Sequence, residues 1–233
     1  MNEYRVPVYL RLNRVIMKRV FQSIFHVLGR VKISGQEFIP FSKAYVVAFN
    51  HISIFDPPLV VAFWPEMAEA IGAADVFLKK GQGLLLKMYG VIPVHRGDYD
   101  RSLFEKIFAI LKSGRPLIMA PEGGRSHETA MQRAQPGISY IIERVHVPIL
   151  PVGLLGTTDD FWQRAKRGEK PRLEIRIGRP FHLPMIDVKS TERKMIRQEN
   201  ADLVMRHIAG LLPEDYHGVY AGQAIYPENN LSA

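Results

Sequence analysis

Apolar positions along this chain fall into two kinds of run that alternate. Short unbroken runs bounded by turn residues, at 44–49, 91–94, 116–120 and 147–154, read as strands buried on both faces. Longer stretches with helical spacing lie between them. These are 57–64, stopped by Pro65; 84–89, closed by Gly90; 101–112, with Leu103, Phe104, Ile107, Phe108 and Leu111 on one side; and 137–145. Residues 31–38 read as an edge strand interrupted at Gly35, and 70–73 is a shorter β-like stretch. Residues 173–177 alternate apolar and charged, as a half-exposed strand would, and 191–212 form a last helix. Strand alternating with helix predicts an α/β fold: a single domain with a mainly central β-sheet flanked by helices on both faces. A chain of 233 residues with 47% hydrophobic content is long enough for one such well-buried domain.

Ahead of the first strand, residues 8–28 form a helical pattern with Arg11, Arg14 and Lys18 on one face and Tyr9, Leu12, Ile16, Val20, Ile24 and Val27 roughly opposite. That pattern fits an interfacial membrane anchor. It equally fits a helix packed on the domain with its charged face in water. The expected organisation is therefore 1–29 amphipathic membrane-interface helix, 30–213 main domain and 214–233 tail. No run of about 18 apolar residues occurs, so no spanning helix is predicted.

Charge sharpens the choice of partner. The chain carries 31 Lys and Arg against 23 Asp and Glu, a net +8. The excess sits in two stretches. Residues 1–35 hold Arg5, Arg11, Arg14, Lys18, Arg19, Arg30 and Lys32 against Glu3. Residues 164–179 hold Arg164, Lys166, Arg167, Lys170, Arg172, Arg176 and Arg179 against Glu169 and Glu174. Either stretch would attract a polyanion, nucleic acid or an anionic membrane surface. The arginines lack interleaved exposed aromatics and no nucleic-acid motif is visible, so no nucleic-acid partner is expected. The absence of cysteine removes a thiolate nucleophile, a disulfide and any cysteine-ligated metal. His127-Glu128 has Met131, not histidine, four residues after the first, so no metal site is expected. Gly81-Gln82-Gly83 lacks the third glycine of a dinucleotide loop, since Leu86 stands there.

Candidate chemistry collects where strands end. His51 follows the 44–49 strand and Asp56 precedes Pro57, as an N-cap precedes a helix with proline at its first position. One carboxylate oxygen would cap while the other orients the imidazole as a general base. His95-Arg96-Gly97-Asp98 follows the next strand. Pro121-Glu122-Gly123-Gly124-Arg125-Ser126 follows the one after, with paired glycines, a possible nest of N–H groups and a guanidinium fork suited to phosphate. Strand ends of an open α/β sheet are where ligands bind, so these clusters are expected to meet on one edge.

His51-x-x-x-x-Asp56, then Gly90-Val91-Ile92-Pro93-Val94-His95-Arg96-Gly97, then Pro121-Glu122-Gly123-Gly124-Arg125-Ser126, then Val147-Pro148-Ile149-Leu150-Pro151-Val152-Gly153 together resemble the four blocks of the glycerolipid acyltransferases, the 1-acylglycerol-3-phosphate acyltransferases most of all. The resemblance implies His51 and Asp56 as the catalytic pair and Arg96, Glu122, Gly123 and Arg125 as acceptor-binding residues. Asn50 and Ser53 match usual residues of the first block. It implies transfer of a fatty acyl group from acyl-CoA or acyl carrier protein, a co-substrate and not a cofactor, to the hydroxyl of a lysophospholipid acceptor. The implied location is the cytoplasmic face of a membrane, as a peripheral or monotopic protein. Two departures stand out: Ala120 where phenylalanine is frequent, and Gly124 where threonine is, which takes a hydroxyl out of the acceptor loop.

Overall fold

The computed structural model describes residues 4–97, 100–126, 128–187 and 190–226, leaving aside the side chains of Ser190 and Thr191; Asp98, His127 and 227–233 lie outside that range. Seven strands form one sheet: β1 (Arg30–Ser34), β2 (Val46–Phe49), β3 (Glu69–Ala73), β4 (Ile92–Val94), β5 (Leu117–Met119), β6 (Ile149–Leu155) and β7 (Arg172–Ile177). Their spatial order is β1-β7-β6-β2-β5-β3-β4. From β6 through β4 all pairs are parallel, and β7 runs antiparallel to β6 with β1 parallel to it.

The unbroken apolar runs become the middle of this sheet because both faces are covered. Every residue of β2, β5 and β6 is buried. One face packs against α4 (Arg101–Lys112), α5 (Gly137–Val145) and α7 (Ser190–Ala209), around Ile107, Ile138, Ile141, Val204 and Ile208. The other packs against α1 (Val8–Leu28), α2 (Asp56–Phe63), α3 (Gln82–Tyr89) and α6 (Phe161–Lys166), around Phe25, Leu59, Trp64, Tyr89 and Phe161. The α/β expectation with helices on both faces, and the extent of the first helix, agree with this fold.

Helix α1 packs on the domain the opposite way round from the reading that puts its charged face in water, and leaves outward the apolar stripe that the anchor reading needs. Its inward face holds Met17 and Phe25 but also Arg14, which is 2% exposed, and Lys18, whose Nζ donates to Trp64 O. Val8, Tyr9, Leu12, Ile16, Val20, Ile24 and Val27 point outward, with Leu12 60% and Val27 68% exposed. A buried carboxylate causes this inversion. Glu69 in β3 receives Arg14 Nη1 and Nη2 at 2.8 and 2.7 Å, Arg115 Nε at 3.0 Å and Tyr4 Oη at 2.9 Å. Arg14 Nε also donates to Tyr89 O at 2.8 Å. Burial alone would raise the Glu69 carboxyl, but these donors, Arg14 foremost, hold it below the usual range.

Three other expectations change. β7 is more buried than its alternation suggests, since β1 covers one edge and Glu174 is paired with both Arg172 and Arg176. The basic stretch around it is partly neutralised from within, as Arg164 and Arg167 both pair with Glu169. Residues 214–226, read as part of a tail, pack onto the domain through the 3₁₀ turns Glu214–Tyr216 and Gly218–Tyr220, with Tyr216 and Tyr220 buried.

Candidate active site

Because β2, β5, β3, β4 and β6 all run the same way, their C-terminal ends share one edge, and the loops that follow them meet there. The loop after β2 carries His51, whose Nδ1 lies 3.0 Å from Asp56 Oδ2. Asp56 is fully buried, while the His51 side chain is 19% exposed. With Nδ1 facing a carboxylate, the ring's Nε2 is the nitrogen that can take a proton from a substrate.

Asp56 does not cap its own helix, in contrast to the sequence reading. It is the first residue of α2, and the N–H groups a cap would bond are missing at Pro57 and Pro58, while Leu59 N donates to Phe55 O. The carboxylate turns back to its own loop. Oδ2 accepts from Ile52 N and Ser53 N at 2.8 and 2.7 Å as well as facing His51. Oδ1 accepts from Thr157 Oγ1 at 2.5 Å.

The turn after β5 grips the backbone of His51 from both sides. Glu122 Oε1 accepts from His51 N at 2.7 Å, and Ser126 N donates to His51 O at 2.8 Å. Glu122 Oε2 accepts from Gln132 N at 2.7 Å. Both oxygens of this buried carboxylate are thus occupied by main-chain donors. Burial pushes its carboxyl up to about 7, against the two N–H bonds, which favour the ionised form. Gly123 has φ +71, and a Cβ there would fall 2.8 Å from Gln135 Cγ, so only glycine fits this bend.

Arg96 comes from the loop after β4 and lies over Gly124, where a Cβ would sit 3.2 Å from its Nη2. The guanidinium thus lies directly against the position where a threonine would carry its side chain. Arg125 reaches the other way, with Nη1 3.3 Å from Asp159 Oδ1 on the loop after β6. His51, Asp56, Arg96, Glu122, Gly123 and Arg125 therefore all lie in the loops of one sheet edge. Asn50 ties this edge together, since its side chain donates to Leu154 O and accepts from Leu154 N.

Thr157 was missed by sequence reasoning. The available signal was the polar run Gly156-Thr157-Thr158-Asp159-Asp160 directly after a buried strand, on the same edge as the other clusters.

His51 paired with the fully buried Asp56 at the strand ends of an α/β sheet, with two guanidinium groups among the same loops, is an arrangement chemically suited to a histidine base. A family model described as Acyltransferase matches residues 30–155, more than half of the chain, and the chain belongs to that family. It is 24% identical over 202 residues to the chloroplastic 1-acyl-sn-glycerol-3-phosphate acyltransferase LPAT1 of Arabidopsis thaliana, covering 84% of this chain and 56% of that one. This chain thus spans a little over half the length of the plant relative. It is 24% identical over 160 residues to the 1-acyl-sn-glycerol-3-phosphate acyltransferase of Bacillus subtilis (strain 168), covering 68% of this chain and 77% of the other. The crystal structure of the 1-acyl-sn-glycerophosphate (LPA) acyltransferase PlsC from Thermotoga maritima shares the fold, with a TM-score of 0.57, 22% identity, and coverage of 84% and 78% of the two chains.

Proposed function

We propose that this acyltransferase moves a fatty acyl group from an acyl thioester, on coenzyme A or acyl carrier protein, to the free hydroxyl of a lysophosphatidate-like acceptor. The observation that carries this reading is the His51–Asp56 pair, its carboxylate fully buried and its imidazole partly open, on the edge that also bears Arg96 and Arg125. Nε2 of His51 takes the hydroxyl proton while Asp56 stabilises the imidazolium. The acceptor oxygen attacks the thioester carbonyl, the C–S bond breaks, and the imidazolium returns its proton to the departing thiolate. A thioester is already activated, so no covalent enzyme intermediate is needed. Glu122, with each oxygen accepting from a main-chain N–H, braces the His51 loop.

The test is thiol release by the purified protein across acceptors with and without a phosphate. Arg96→Ala and Arg125→Ala should each raise KM for lysophosphatidate about ten- to a hundredfold, the worth of a charge-assisted bond, with little change in KM for the thioester. Lysine in either place should recover only part, because a point charge does not reproduce the fork. Equal effects on both substrates with a lower Tm would instead make the arginine structural, Arg125 through Asp159.

The membrane seat follows from the inverted α1. No helix among the described residues is long and apolar enough to cross a membrane. The outward stripe Tyr9, Leu12, Ile16, Val20, Ile24 and Val27 instead offers a continuous apolar face to a lipid surface, supported by exposed Leu84 on α3 and Trp162 on α6 of the same layer. Replacing Leu12, Ile16 and Val20 together by serine should leave the inward packing intact and weaken vesicle co-sedimentation on the order of a hundredfold or more, since a large apolar side chain is worth about 1.5–3 kcal/mol when fully buried. Undiminished sedimentation of the triple variant would move the anchor elsewhere.

A further inference from the structure

We infer that Thr157 is a positioning residue for the His51–Asp56 pair, so that the base is built from three side chains on three elements. Asp56 lies in a site with no exposure of its own and, among the described residues, accepts from four groups. Three of them, His51 Nδ1, Ile52 N and Ser53 N, converge on Oδ2. Oδ1 has one donor, Thr157 Oγ1, at 2.5 Å, and Thr157 is itself fully buried.

The partition of donors matters because a carboxylate can turn about its Cβ–Cγ bond. If Oδ1 were left without a donor in a buried site, the group would lower its energy by turning to share the loop N–H groups between both oxygens, and Oδ2 would no longer be fixed on Nδ1. The Thr157 hydroxyl prevents that turn. It also supplies a hydrogen bond to the ionised form, the form required when the imidazolium develops opposite it.

Thr157 is held firmly enough to act this way. β6 is joined to β2 from Ile149 to Val152 and again through the Asn50 side chain at Leu154, three residues before Thr157. Between them Gly156 turns the chain with φ +84, where a Cβ would lie 2.0 Å from Arg172 O, and Gly156 N donates to Tyr216 Oη at 3.2 Å. The hydroxyl therefore arrives at Asp56 on a turn fixed by the strand and glycine that precede it, and the methyl group of threonine restricts its χ1.

The experiment uses the whole chain and compares Thr157→Val, which keeps the shape and removes the hydroxyl, with Thr157→Ser, which keeps the hydroxyl. Thr157→Val is expected to lower kcat by about ten- to a hundredfold, the range of a hydrogen bond to a charged group, with both KM values near native. The downfield proton resonance of the His51 Nδ1 hydrogen bond should move or vanish in the valine variant. Serine should restore both. A merely structural threonine would lower Tm without displacing that resonance. If Thr157→Val does not fold, Thr157→Ala against Thr157→Ser answers the same question, and equal kcat and an unmoved resonance in the two would overturn the proposal. The kinetic arm rests on the acyl-transfer reading. A native protein with no thiol release would remove that reading and leave the resonance arm to decide the role of Thr157.

Discussion

His51→Ala is expected to lower kcat by about 10²–10⁴-fold, the usual worth of a positioned general base, while KM for donor and acceptor stays within a few-fold. The argument is geometric. Asp56 fixes Nδ1, the clasp of Glu122 and Ser126 fixes the main chain, and Nε2 is left as the ring nitrogen turned away from Asp56. The clasp bonds the His51 backbone and not its ring, so alanine keeps them, and Asp56 keeps its donors from Ile52, Ser53 and Thr157. The variant should therefore fold with a near-native Tm. Asp56→Asn should resemble it in kcat but also lose stability, because an amide presents donors where three groups donate to one oxygen. Thiol release by folded His51→Ala at the native rate would end the reading of His51 as the base.

Glu69→Gln is expected to cost about 3–5 kcal/mol of stability, the penalty for leaving a buried cation without its counter-charge. Arg14 would keep its bond to Tyr89 O but lose the bidentate carboxylate, and α1 would lose its main tie to the sheet. Replacing both partners, Arg14→Met with Glu69→Leu, should recover part of the loss, since apolar pairs of similar volume are often as stable as the ions they replace, while Arg115 and Tyr4 lose the carboxylate they donate to. The sign with pH follows from the depressed Glu69 carboxyl. The ionised pair stabilises the fold above the unfolded-state value for glutamate, and the gain disappears as pH falls through the lower folded-state value. Urea unfolding of wild type and Glu69→Gln should thus differ most near pH 7 and converge in acid. Equal midpoints at pH 7 would show the network to be energetically idle.

The middle of the sheet was legible because a strand covered on both faces must be an unbroken apolar run, and β2, β5 and β6 are such runs. The strand-end clusters were legible for the same reason, since parallel strands deliver their following loops to one edge. The orientation of α1 was left open between two readings. A helical wheel gives angles, and the charged face looked wet because the partner of Arg14 lies 55 residues away, at Glu69. Thr157 escaped on the same ground, 101 residues from Asp56 and with no local spacing to mark it. Helix α6 was missed because six residues with one buried side chain, Phe161, leave too little periodicity to read. The placing of Asp56 before Pro57 was seen correctly, and its consequence was misread, because two successive prolines remove the donors that capping needs.

The segment after α7 reaches back across the chain to brace the edge that carries His51. Met131 N donates to Tyr216 O, Val219 N donates to Met131 O, and Ala134 N donates to Tyr220 Oη, so the stretch that presents Gln132 N to Glu122 is held by residues made some 85 positions later. Every strand of the sheet thus precedes the residues that complete the hold on the loop carrying His51. A chain cut at Pro213 is therefore expected to keep every strand of the sheet and to lose the outer hold on the stretch that braces the His51 loop.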